Sequence, residues 1–164
     1  MLCPETVDAD ALELLRQIQQ NPLFAETRLV GGTALALQLG HRKSVDLDEP
    51  VAGDGLRLAS YRDIAAMKLS AITNRGTKKD FVDLAFLLDQ FSLNEMLAFY
   101  RRKYADASLF LVMKSLTYFD DAEEDPMPNM LKPCDWDDAK RRIIRAVVAE
   151  GENQEATGTR RPQP

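Results

Sequence analysis

Cysteine and histidine are scarce in this chain: Cys3, Cys134 and the single His41 are all that 164 residues contain. The two cysteines lie far apart without metal-ligand spacing, which argues against a thiolate metal centre or a disulfide framework and fits a reduced compartment. One histidine gives no basis for a histidine-based metal site. No apolar run is long enough for a signal peptide or a membrane span, so a cytoplasmic protein with no membrane partner is expected. Positive charge is also short: 21 Lys and Arg stand against 26 Asp and Glu, a formal net charge of −5. Broad electrostatic attraction to nucleic acid is thereby excluded, and any RNA or DNA contact must come from a local basic patch. What is present, 45% hydrophobic and 29% charged residues, suits one soluble globular domain with a core.

Along the chain, Thr6 or Asp8 is placed to cap a first helix, with Leu12, Leu15, Ile18 and Gln19 at helical spacing, Leu14 widening the stripe, and Asn21-Pro22 ending it. Arg28-Leu29-Val30 reads as a short strand turned by Gly31-Gly32. A helix follows over Thr33–Leu39 and closes at Gly40. Ser44–Asp48 alternates, Val45 and Leu47 on one face and Asp46 and Asp48 on the other, as a strand does. Leu56 and Leu58 can form one more short strand. From Ser60 the pattern is helical: Ser60 with Asp63 caps a helix to about Asn74, a second spans Lys79–Gln90, Ser92 caps a third containing Met96 and Tyr100, and two more cover Ser108–Tyr118 and Asp135–Val148. The expected fold class is α/β (α+β), a small sheet with flanking helices followed by a helical C-terminal half. The division is 1–59, 60–150, and a disordered tail 151–164 that lacks any apolar residue larger than alanine. No internal repeat is present.

The residues that can carry chemistry form two groups. Asp46 and Asp48, at i and i+2 on a strand, project from one face roughly 7 Å apart at Cα and can reach one Mg²⁺; a solvated strand face gives the same pattern. Gly31-Gly32-Thr33 allows close backbone approach to a phosphate at a helix start, or is simply a tight turn capped by Thr33. Strand, Gly-Gly-Thr, helix and D-x-D strand together are far more specific than either part. In the second group, Lys68, Ile72 and Arg75 fall at i, i+4 and i+7 of one helix, and Asp80 and Asp83 share a side of the next. Lys68, inside an apolar run, either grips a nucleotide phosphate while Asp80 orients it, or joins an interhelical ion-pair network, with Lys79–Asp83 as a further pair. His41-Arg42-Lys43 offers compact positive charge to a triphosphate or RNA backbone, or is a solvated turn. The acidic stretch 120–125 reads as solvated surface.

Gly31-Gly32-Thr33-Ala34-Leu35 with His41-Arg42-x-Ser44-x-Asp46-Leu47-Asp48 resembles the first motif of the AbiEii/AbiGii-type nucleotidyltransferase toxins. Ala65-Ala66-Met67-Lys68-Leu69 with Thr73 resembles their second motif, and Arg75-Gly76-x-Lys78-Lys79-Asp80-Phe81-x-Asp83-Leu84 their third. The resemblance implies a DNA-polymerase-β-like nucleotidyltransferase fold and Mg²⁺-dependent transfer of a nucleotide from an NTP to an acceptor. Transfer RNA 3′ ends are one known acceptor class, and an antitoxin is the usual genetic partner. It implies that Asp46 and Asp48 hold metal and that Gly31, Gly32, Thr33, Arg42, Ser44, Lys68 and Arg75 meet the nucleotide, with Asp80 as the third-motif aspartate. The chain departs from the pattern after Asp48. Seven residues separate it from Leu56, too few for the further strands, and the further carboxylate, that normally follow. A degenerate module that binds nucleotide, RNA or an antitoxin without turnover is the alternative expectation.

Overall fold

The structure is a computed structural model describing residues 3–24, 28–41 and 58–158, so the expectations for Arg42, Ser44, Asp46 and Asp48 lie outside the described residues. Helix α1 (Ala9–Gln20) starts at Asp8, whose carboxylate accepts from the N–H groups of Asp10 and Ala11 at 3.0 and 3.4 Å. It buries Leu12, Leu15 and Gln19 and leaves Leu14 47% exposed.

Leu29 and Leu58 then make a single parallel bridge, with the Ala59 N–H donating to the Leu29 carbonyl at 2.8 Å. That bridge replaces the expected small sheet: among the described residues there is no strand, and the chain is mostly helical. The expected strand Ser44–Asp48 and Leu56 lie outside the described residues; at the first expected strand, Val30 is already the N-cap of α2 (Gly31–Leu39) and Gly31 takes the left-handed φ of +73°, so the extended stretch ends there. The expected turn at Gly31-Gly32 therefore coincides with the start of α2.

Helix α2 buries Thr33 and every residue from Ala34 to Leu37, as an apolar helix without a polar face must. Gly40 closes it at φ +59°, its N–H bonded to the Ala36 carbonyl. A side chain there would be strained by the left-handed backbone and would also put a Cβ 2.7 Å from the Cys3 Sγ.

The remaining helices are α3 (Tyr61–Arg75), α4 (Lys78–Leu87), α5 (Leu93–Lys103), α6 (Leu109–Ser115), the single turn α7 (Asp120–Glu123) and α8 (Trp136–Gly158). Ser60 and Ser92 cap α3 and α5 as their spacing predicts, and Ser108, expected inside its helix, caps α6. Helix α4 is central: it packs against α2, α3 and α8, and nearly all its side chains are buried, charged ones included. One apolar core runs from Val7, Leu12 and Leu15 through Leu35, Leu69 and Leu84 to Ile143. Helix α8 continues through Gly158, so the expected disordered tail does not begin at Gly151. Buried Glu150, bonded to Asn94 at 3.0 Å, pins the helix there, and Glu152-Asn153-Gln154-Glu155-Ala156 includes good helix formers that need no apolar face to continue it. Among the described residues no helix is long and apolar enough to cross a membrane.

Candidate functional site

Four ionisable side chains meet in the interior where α3, α4 and the end of α2 converge. Lys68 of α3 donates to Asp80 Oδ1 at 2.8 Å and pairs with Asp83 Oδ2 at 2.7 Å. The other oxygen of Asp83 lies 2.7 Å from His41 Nε2, and both of those side chains are fully buried. Asp80 completes the chain with its second oxygen, which accepts from the Thr77 N–H at 3.2 Å and hydroxyl at 2.5 Å in the capping box that opens α4. A carboxylate that serves at once as helix cap and counter-ion is held with little freedom. Burial alone would depress the Lys68 pKa; the carboxylates of Asp83 and Asp80 outweigh it and hold the ammonium above its ordinary value.

His41 fastens this cluster to its surroundings. Its ring packs on Phe86, with centroids 4.8 Å apart, and its carbonyl accepts from the N–H groups of Leu131 and Lys132 at 2.8 and 3.1 Å. Nδ1 is buried without a hydrogen-bond partner among the described residues. The residue directly before the Arg42–Asp48 segment is therefore locked to α4.

Lys68 and Asp80, read from the sequence as a pair, are brought together, and Asp83 joins them. Arg75 is not: it sits in the exposed last turn of α3, away from the buried Lys68, where a cation favours the helix C-terminus. Gly31, Gly32 and Thr33 form the first turn of α2, with Thr33 only 1% exposed.

Sequence reasoning missed two partners. Nothing in the pattern distinguishes a buried lone histidine from a solvated one, so His41 went unseen as a member of the cluster. Lys78 was also missed. Its ammonium donates to the carbonyls of Glu123 and Asp125 at 2.9 and 2.6 Å and lies 5.2 Å from the Trp136 ring centre, while its N–H donates to Asp125 Oδ2. Its spacing from Phe81 and Val82, at i+3 and i+4, was the available signal, and the same contacts show that part of the 120–125 acidic stretch is structural.

The family model for the nucleotidyl transferase AbiEii toxin, of a type IV toxin–antitoxin system, matches residues 49–157. The chain belongs to the AbiEii family. In this AbiEii-family chain the matched stretch takes in Lys68, Arg75 and Asp80 and begins just after Asp48, so Gly31–Thr33, Asp46 and Asp48 precede it. Uncharacterized protein aq_aa25 of Aquifex aeolicus (strain VF5) is 37% identical over 101 residues, covering 60% of this chain and 48% of that protein. The chain spans about half the length of this curated relative. No solved structure matches it.

Proposed function

We propose that this AbiEii-family chain works as a Mg²⁺-dependent nucleotidyltransferase toxin that joins a nucleotide from an NTP to an acceptor, with tRNA 3′ ends as the acceptor class and an antitoxin protein as its cognate partner. The observation that carries the reading is the buried Lys68–Asp80–Asp83–His41 cluster, because it ties His41, five residues before Asp46, to the helices that hold Lys68 and Asp80. Asp46 and Asp48 are hard oxygen donors of the kind Mg²⁺ takes, and a metal held there would offset triphosphate charge as the bonds change. The first turn of α2, with Gly31, Gly32 and Thr33, receives phosphate together with Arg42 and Ser44. Lys68 uses two of its three ammonium protons on Asp80 and Asp83, which leaves one for a phosphate oxygen.

In the reaction, the acceptor hydroxyl oxygen bonds to the α-phosphorus. The bond from that phosphorus to the bridging oxygen breaks, pyrophosphate leaves, and the hydroxyl proton passes to solvent. A second reading, a module that binds without turnover, is favoured by one observation: Lys68 is already matched by two carboxylates and only 8% of its side chain is exposed.

The deciding experiment incubates the protein with bulk tRNA and each of four labelled NTPs, for wild type and Asp46→Asn. Labelled tRNA from wild type but not from the variant supports transfer. If Mg²⁺ with an NTP raises the wild-type melting temperature, Asp46→Asn abolishes that rise, and no labelled product forms, the binding module stands instead. No rise and no product defeats both.

A further inference from the structure

The net charge of −5 requires any RNA contact to be local, and several cations gather between α3 and α5. Where the start of α3 meets the end of α5, a cleft of about 230 Å³ is lined by Ser60, Arg62, Asp63, Phe99, Arg102 and Lys103. Arg62 and Arg102 lie over the Phe99 ring, 5.6 and 5.7 Å from its centre. Both are exposed.

The carboxylates nearby are already committed. One Asp63 carboxylate oxygen accepts from the Ser60 hydroxyl at 2.7 Å, the Asp63 N–H donates back to that hydroxyl oxygen at 3.2 Å, and the other carboxylate oxygen pairs with Lys103 at 3.2 Å. Glu95, the acid whose charge interacts with Arg62, accepts from the Ser92 N–H and hydroxyl at 2.8 Å each in the α5 capping box. Among the described residues, neither Arg62 nor Arg102 has a carboxylate within salt-bridge distance. Two guanidiniums held by an aromatic ring keep their N–H edges free for anions. Arg101 extends the positive charge along the last turn of α5, and Arg28 lies near enough to act on Asp63.

We propose that the Arg62–Phe99–Arg102 cleft, with Lys103, binds the phosphodiester backbone of an RNA acceptor. This rests on the transferase reading for the choice of RNA; the cleft positions the acceptor by its backbone and carries no base recognition. Guanidiniums stacked on a ring in an otherwise acidic chain fit a strand of phosphates better than a neutral ligand, and an exposed cleft of this size accepts one phosphate at a time.

The test is fluorescence anisotropy of labelled bulk tRNA, without NTP or Mg²⁺, between roughly 50 and 200 mM salt. The full chain is compared with Arg62→Gln/Arg102→Gln and with Arg141→Gln, an exposed arginine elsewhere. The double variant should bind roughly tenfold more weakly at low salt, and its slope of log affinity against log salt should flatten by about one for each arginine removed. Arg141→Gln should match wild type. Unchanged binding in the double variant, an equal loss in Arg141→Gln, or no tRNA binding by wild type overturns the proposal. So does displacement of tRNA by duplex DNA or by polyglutamate as readily as by unlabelled tRNA, because the cleft would then read charge alone, as an acidic protein partner presents it. If the double variant loses its cooperative melt, Arg102→Gln alone carries the same comparison at half the slope change. A chain that binds tRNA through these arginines but transfers nothing refutes the transferase reading and spares the cleft. Undiminished transfer by the double variant refutes the cleft and spares the transferase.

Discussion

Lys68 and Lys78 stand ten residues apart in the sequence and are both buried, at 6% and 7% exposure. Their ammonium groups are matched by different means. Lys68 faces two carboxylates, one of which is shared with a histidine. Lys78 faces two backbone carbonyls and the ring of Trp136, which a second cation, Lys140, also approaches at 5.3 Å. A buried cation opposed by formal charges belongs to a cluster that fails as a unit when one member goes, because each remaining charge is left in low dielectric. A cation opposed by dipoles and a π face can be removed with less damage, because what remains is neutral. The first arrangement fixes helices with charge; the second closes a loop over α4.

Lys68→Met breaks this comparison hardest. It leaves Asp80 and Asp83 buried without their cation and should cost about 3–5 kcal/mol, seen as a lower urea midpoint at unchanged slope. Adding Asp83→Asn should recover part of that loss; strict additivity of the two changes would show that the cluster is no unit. Asp83→Asn alone comes next, at about 2 kcal/mol, because Asp80 still opposes Lys68. Lys78→Met, which keeps the packing against Trp136 and gives up the two carbonyl bonds, should cost about 1–2 kcal/mol; a loss as large as that of Lys68→Met would erase the distinction. Ser92→Ala, which removes the α5 cap on the exposed side, should cost about 1 kcal/mol and set the baseline for a surface hydrogen bond.

Alkaline titration sharpens the contrast further. The Lys68 pKa is raised in the folded chain, so its stabilisation is fully present below the ordinary lysine value of about 10.4 and is lost as pH rises through the folded value. The stability gap between wild type and Lys68→Met should therefore stay constant through neutral pH and close only in the alkaline limb. A gap that closes near pH 7 would place its origin elsewhere.

Much of the helical frame was legible because it rests on short-range chemistry. Asp8, Ser60 and Ser92 precede their helices at capping distance, and Gly40 ends α2 in the left-handed conformation that glycine accepts. Lys68 with Asp80 and Asp83 was legible as one of two possibilities, and the structure shows the ion-pair network. The sheet was misread at Arg28-Leu29-Val30 because a strand pattern three residues long cannot say whether a partner exists; Leu29 finds one bridge, to Leu58. The length of α8 was misread because the lack of apolar residues after Gly151 was taken for lack of structure, whereas helix propensity and the Glu150–Asn94 bond continue it. His41 and Lys78 were missed for a related reason: their burial is decided by residues 42 or more positions away, Asp83 for one and Glu123 and Asp125 for the other.

The Leu29–Leu58 bridge has one more consequence. Together with the His41–Asp83 bond it anchors both residues that flank the 42–57 interval: His41 is tied to α4, and Leu58, just ahead of α3, is tied to the residue before the N-cap of α2. Each anchor joins residues 29 or more positions apart, so the ends of that interval are positioned by the helical body on either side of it.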